Sequence, residues 1–420
     1  MTTLRYISFE IEDHTATARL GRLAMALGRV IEHPGGSVYG FGKAAVIGLP
    51  NGLCDPVALA SAREVLTAIT PAHEPVGRHV PPVALGALGF LPSAPSFLVV
   101  PAVSIRCTEK DGGPASAVIV GPDPRPSELD VLLEKGEPSP AERPPDHFVL
   151  TSPLSHAGFL ERVEAAVAEI RSGRLDKVVL ARDVVVETNR PLRQGDLMAA
   201  LRRLYPSCAI FGIDGFVGAS PELLISRHGL EIGSYPLAGT AARSGDAATD
   251  RETEAALLSS TKERAEHRAV VDAIARGLRP ATSELSVPRS PRVLRLRNVS
   301  HLGTPITGRL TKGGAPSALE LVSVIHPTPA VAGYPSDVAL EYLAKVEDMD
   351  RDRYGGAVGF LDAAGDGDWY LGIRSAVVAA DGMTTRLFAG VGVVADSDPE
   401  AELIESQLKL QAMLAAAVRP

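Results

Sequence analysis

Between Phe216 and Asp272 the chain changes its hydrophobic period, and this limits the folds open to it. The stretch reads FVGASPELLISRHGLEIGSYPLAGTAARSGDAATDRETEAALLSSTKERAEHRAVVD. Its first part is apolar and alternating, and carries a lone carboxylate, Glu222, just after Pro221. A second run ends in the glycine turn Leu237-Ala238-Gly239-Thr240. Alternation with period two predicts strands, and the three- and four-residue steps that follow predict one helix from about 250 to 278. A one-sided sheet and a striped helix must bury their apolar faces against each other, which points to an α+β layered fold. The same stretch delivers an acid, a flexible turn and the pair Glu263/Glu266, which is the equipment of a site more than of a core.

Bulk properties narrow the function classes. The 420 residues carry a net charge of −8, which disfavours non-specific nucleic-acid binding, since that needs concentrated positive charge. Cys54, Cys107 and Cys208 are too few and too scattered for a disulfide framework or a zinc site. The opening MTTLRYISFEIEDH holds early acids and no apolar core of a signal peptide. The most apolar stretch, residues 83 to 105, is broken by Pro92, Pro95 and Pro101, so no membrane helix is expected there. These features predict a cytoplasmic protein.

Along the chain, VYGFGKAAVIGL reads as a strand pair, and DPVALASAREVLTAI as a helix capped by Asp55 with Pro56 in its first turn. LGALGFLPSAPSFLVVPAVSIR reads as buried strands joined by a proline turn. From Glu109 to Asp146 the chain turns to Pro, Gly, Ser and charge, which predicts a connection with little regular structure. A helix begins at Ser155, with Phe159, Val163, Val167 and Ile170 on one face and Gly173 as its cap. KVVLARDVVVET is β-branched and strand-like, residues 197 to 204 helical. VLRLRNVSHLGTPITG alternates like a strand, and the helices PSALELVSVI and DVALEYLAKVED follow. Three strands then run from residue 355, with hairpin turns at Gly365-Asp366-Gly367 and Asp381-Gly382. The last helix opens at Asp398-Pro399 and carries Glu402, Glu405 and Lys409 on one face.

Several residues could carry chemistry, each with a plainer alternative. If the helices bearing Glu263/Glu266 and Glu402/Glu405 face each other, their carboxylates converge and call for a hard divalent cation, magnesium before others. The plainer arrangement is two solvated surface pairs. The Glu-x-x-His spacing of a di-iron bundle is missing. Lys177 opens its strand on the face of Val179 and Ala181; burial there would fit it as a general base, whereas strand-end lysines commonly extend to water. Glu222, among Leu223, Leu224 and Ile225, could be a general acid with a raised pKa or an edge residue facing solvent. Gly239-Thr240 and Gly390-Val391-Gly392 allow backbone to approach a ligand, or make a bulge. Arg374, mid-strand in YLGIRSAVV, needs an anion, either a substrate carboxylate or an internal partner. Lys409 has Glu405 four residues before it, as in an intrahelical pair. His326, before Pro327, reads as structural.

The ordered set KVVLAR, FVGASPELL, PLAGTAAR, KERAEH, HLGTPITG, HPTPAVAGYP, GGAVGF, IRSAVV, FAGVGVV and SDPEAELIESQLK resembles the chorismate-utilising enzymes, and among them the isochorismate synthases. The likeness runs from about residue 155 to the end and is weaker over 83 to 102. It implies one large α+β domain over 1–420 with two antiparallel sheets layered with helices. Within it, 1–108 is a divergent part of the sheet, 109–150 a Pro-rich connection and 151–420 the catalytic core.

The resemblance also implies roles. Lys177 is the base that activates water for attack at carbon 2 of chorismate, and Glu222 the acid that protonates the hydroxyl leaving carbon 4. Glu266 and Glu405 hold Mg2+, supported by Glu263 and Glu402. Arg374 and Lys409, with backbone amides at Gly239, Thr240 and Gly390, hold the substrate carboxylates; Gly392, His326 and Ala330 belong to the same pocket. Relatives that use ammonia typically carry glutamine where Lys177 stands, and aminodeoxychorismate-forming ones a lysine at the place of Ala238, so water is the implied nucleophile. The alternatives are a salicylate synthase, which shares the lysine and expels pyruvate, and a silent chorismate-binding protein. A monomer is implied, with a product that feeds menaquinone, a siderophore or another metabolite.

Overall fold

A computed structural model describes residues 3–73, 80–108, 114–135 and 144–418. Two large antiparallel sheets organise the chain, one of 13 strands and one of 9, with a 3-stranded sheet beside them. The one parallel pairing among the described residues joins Arg5–Ile11 to Thr70–Pro71. Ten α-helices of the described residues cover the sheets. This is the α+β fold that the alternating pattern predicts.

The first sheet contains the strand Lys177–Thr188, whose valines favour extended backbone. It pairs with Thr384–Val393 from Val178 opposite Val393 to Glu187 opposite Thr384. The sheet continues through Ser375–Val378, Phe216–Ser220 and Ala209–Ile213 into N-terminal strands. The chain leaves this sheet at Ser220 and enters the second at Leu223–His228. Glu222 thus lies in the crossing between the two large sheets. Leu237–Ala242 and Val299–Gly303 pair in the small sheet alongside.

The helix His156–Arg171 is capped by Ser155 and buries Phe159, Val163, Val167 and Ile170, each worth about 2 kcal/mol when removed from water. These residues share one core cluster with Val178 and Leu180 of the Lys177 strand. Gly173, at φ +83°, turns the chain after the helix.

Five readings need correction. VYGFGKAAVIGL forms two strands that do not pair. Gly36–Phe41 lies in the first sheet between Arg29–His33 and Val103–Cys107, while Ala45–Leu49 crosses to the edge of the second and pairs with Ser96–Val100. Alternation specifies strand character, and the partner is set by long-range packing. The helix from 250 to 278 is two, Ala247–Ser259 and Thr261–Leu278. Ser260 is extended (φ −63°, ψ 118°) and accepts a hydrogen bond from the Glu263 N–H, so it ends one helix and caps the next. The region 109–150 contains a buried strand, Ala115–Gly121, and a helix, Ser127–Glu134; residues 109–113 and 136–143 lie outside the described residues. VLRLRNVSHLGTPITG is three strands, and four rather than three strands follow residue 355. None of the three cysteines forms a disulfide. No helix of the described residues is long and apolar enough to cross a membrane.

Candidate active site

Lys177 starts its strand with only 5 % of its surface exposed. It does not extend to water. Its Nζ lies 2.6 Å from Glu266 Oε1, brought across from the helix Thr261–Leu278. Gly392, on the neighbouring strand, makes room for this pair. A Cβ there would stand 2.8 Å from Lys177 Cε and 3.1 Å from Glu266 Oε1. The glycine that the sequence offers as a ligand contact is therefore needed by the protein's own side chains.

Glu222 is 3 % exposed and faces the same cavity. Its Oε1 has no hydrogen-bond partner. Burial pushes its pKa up to about 8, against the pull of the Leu237 N–H and the charges of Lys177, Arg374 and Lys409. A carboxyl with that value holds its proton at neutral pH and can give it up, as a general acid must. Its amide is satisfied by Ser220 Oγ at 3.3 Å, and its carbonyl accepts from the Leu371 N–H at 3.1 Å. The backbone on both sides is thereby fixed.

The two carboxylate pairs line this cavity too. Glu263 Oε2 accepts from the Thr240 N–H at 3.2 Å, and Glu402 Oε1 from Ser397 Oγ at 2.7 Å. Burial and the charge of Glu266 raise the pKa of Glu263. Burial and Glu405 raise that of Glu402 to about 7. Glu405 goes the other way: burial would raise it, but the Lys409 ammonium 2.7 Å away, with Arg374 and Lys177 beyond, holds it below the usual range. Among the described residues no three His, Cys, Asp or Glu side chains gather closely enough for a cage made of protein alone. Magnesium is ordinarily held by one or two carboxylates and completed by substrate oxygens and water. The oxygen donors of Glu263, Glu266, Glu402 and Glu405 fit that ion.

Arg374 is not mid-strand. It follows Gly367–Leu371 and precedes Ser375–Val378, at φ +49°. This break releases it from the alternation and lets its side chain line the cavity. Its Nη2 lies 2.9 Å from His301 Nε2. A guanidinium only donates, so Nε2 accepts. The imidazole hydrogen is then on Nδ1, which stands 3.2 Å from the Gly239 carbonyl and 3.2 Å from Thr240 Oγ1. Burial, then Arg374 and Lys409, holds His301 well below its ordinary pKa, so it is neutral. Gly239, at φ +76°, marks the register shift in its strand; a Cβ would stand 3.1 Å from Glu263 Oε2.

Other expected contacts differ. The Thr240 amide is already engaged by Glu263, and Gly390 lies within a strand, not a turn. The Gly390 carbonyl accepts from Lys409 Nζ at 2.8 Å, and a Cβ on it would meet Tyr354 Oη at 2.9 Å. Ala330 lines the cavity. His326 does not: its Nε2 lies 2.9 Å from the Phe90 carbonyl, and burial lowers its pKa to about 4. It is a structural histidine, held there by the helix end at Ile325. His301, Tyr354 and Lys262 line the cavity without having been singled out by the sequence. For His301 the signal was a lone imidazole inside an apolar alternating run.

Residues 124–418 match the family described as chorismate binding enzyme. The isochorismate synthase DhbC of Bacillus subtilis is 40 % identical over 265 residues, covering 60 % of this chain and 66 % of that protein. The isochorismate synthase EntC of Escherichia coli is 36 % identical over 338 residues, covering 79 % and 80 %. The solved structure of MenF, the menaquinone-specific isochorismate synthase from Escherichia coli, superposes with a TM-score of 0.80 at 26 % identity, over 99 % of this chain and 95 % of that one. A family match over most of the length, and that degree of identity across four fifths of a relative, carry one conclusion: the chain belongs to the chorismate binding enzymes and, within them, to the isochorismate synthases.

Proposed function

We propose that the chain is an isomerase that converts chorismate to isochorismate, with Lys177 and Glu222 as its base and acid. The observation that carries this reading is a protonated carboxyl, one oxygen of which has no hydrogen-bond partner, facing the same cavity as a buried lysine. Water forms a bond to carbon 2 and gives its proton to Lys177 Nζ. The ring double bonds shift, the bond from carbon 4 to its hydroxyl breaks, and Glu222 supplies the proton that makes the leaving group water. Atoms and charge balance, since one water enters and one leaves. To serve as the base, Lys177 must be uncharged, so its 2.6 Å contact with Glu266 is the one that has to loosen.

Arg374 and Lys409 are the cations placed to receive the substrate carboxylates, and neutral His301 holds Arg374 by a hydrogen bond without adding charge. Glu266 and Glu405, supported by Glu263 and Glu402, would hold Mg2+, which when bound neutralises a substrate carboxylate and draws electron density toward it.

Purified protein incubated with chorismate and magnesium, with products resolved by chromatography, tests the proposal. Isochorismate is the expected product. Salicylate with pyruvate would identify a salicylate synthase instead, and chorismate binding without turnover would leave a silent binding protein.

A further inference from the structure

The strand that carries Lys177 is paired along one edge with Thr384–Val393. Its other edge is covered in pieces. Gly333–Tyr334 pairs at Lys177 and Val178, the Ala332 carbonyl accepts from the Val179 N–H at 2.9 Å, and Phe148–Thr151 pairs at Val185 to Thr188. In the gap, the Val179 carbonyl and the Ala181 N–H meet side chains instead of a strand. Arg351 Nη2 donates to the Val179 carbonyl at 2.7 Å, and the Ala181 N–H donates to Glu347 Oε1 at 2.8 Å.

The two side chains form an ion pair, with Arg351 Nε 2.7 Å from Glu347 Oε2, and are 4 % and 6 % exposed. Arg351 Nη1 also donates to the Val331 carbonyl at 2.8 Å, and the guanidinium lies 4.2 Å from the centre of the Phe90 ring. The Arg351 carbonyl accepts from the Tyr354 N–H at 2.8 Å. Val179, Val331 and Tyr354 all line the catalytic cavity.

We infer that Glu347 and Arg351 are positioning residues: a side-chain clamp stands in for a missing stretch of sheet and fixes the strand of Lys177 against the cavity wall at Val331. The inference rests on the reading of Lys177 as the base. A buried ion pair contributes little net stability compared with apolar packing, so stability alone is a poor reason for it. Apolar side chains could not satisfy the Val179 and Val331 carbonyls and the Ala181 N–H, and orphaned buried backbone groups are costly. A base displaced by about 1 Å loses on the order of 100-fold in rate.

The test uses the full-length chain with Arg351→Met, Arg351→Lys and Glu347→Gln, measuring kcat and KM per folded molecule and amide exchange in fragments covering 177–185. Arg227→Met is the control, because it breaks the ion pair that Arg227, buried on a strand of the second sheet, makes with Asp366 in a turn, outside the cavity. Arg351→Met is expected to lower kcat about 30-fold with KM within about threefold, since Arg374 and Lys409 stand on other elements. Arg351→Lys should recover part of the loss, and exchange should quicken across 177–183. Glu347→Gln, which keeps an oxygen near Ala181, should show the same pattern at about a tenth of that size, and decides the matter if Arg351→Met does not fold. Unchanged kcat and unchanged exchange at 177–183 would overturn the clamp, as would a fall in kcat equal to that of the control. If Lys177→Ala kept its activity, the base reading would fail, while the exchange result would still report on the clamp.

Discussion

Glu222 and Glu405 face one cavity and hold their protons in opposite ways. Glu222 arrives on the crossing between two sheets, among Leu223, Leu224 and Ile225, and no group meets its Oε1. Glu405 arrives on a helix four residues before Lys409, whose Nζ is 2.7 Å away. Burial raises both, and the ammonium reverses the result at Glu405 alone. The difference teaches that contact with a cation, more than depth, decides which carboxyl keeps its proton and which stays charged. A helix supplies that cation by its repeat; an isolated residue between strands has none.

The sharpest break would come from the acid–base pair itself. Lys177→Ala should lower kcat by roughly 1000-fold or more, and Glu222→Gln by a similar or slightly smaller factor, with the fold retained by circular dichroism. A retained rate in either would remove the distinction between the two walls.

The next effect is on pH. As the proposed acid Glu222 would act protonated, and its pKa is raised to about 8, so turnover should decline as pH rises through that value. Stability follows the same sign: the contribution of a group with a raised folded value is present below the unfolded carboxyl value and is lost as pH rises through about 8. Melting curves should therefore show Glu222→Gln gaining on the parent chain at pH 9 and not at pH 4.

Smaller effects sharpen the other wall. Glu405→Gln should weaken magnesium binding about tenfold by calorimetry without substrate, and Glu402→Gln by less, because Glu402 is the one that burial and its neighbour push toward the neutral form. Gly392→Ala should cost about tenfold in kcat, since its Cβ would crowd Lys177 Cε and Glu266 Oε1 and push the lysine amine off its position in the cavity. An unchanged rate would mean that this pair can shift freely.

Much of this arrangement is local and therefore legible. The β-branched run fixes Lys177–Thr188, and Asp398-Pro399 fixes the start of the last helix, so Lys177, Glu402, Glu405 and Lys409 fall where their spacing puts them. The break at Ser260 was also written locally: Ser260 and Glu263 have capping spacing, hidden by the apolar pattern that runs across them. Other features are not local. Nothing in VYGFGKAAVIGL tells that its second strand crosses to another sheet, because that depends on Ser96–Val100. Arg374 leaves its strand through a backbone turn that residue types do not announce, and His301 gains its part from that turn. His326 owes its place to Phe90, far away in sequence.

Arg374 carries one more lesson. A side chain at φ +49° sits where L-residues are uncomfortable by roughly 1 kcal/mol, and glycine would rest there easily. That discomfort turns a guanidinium into the cavity, where on the proposed reading the reactant's anionic groups dock. If that reading holds, Arg374→Gly would make a hardier protein without turnover, and screening for thermal resilience alone would select the idle form.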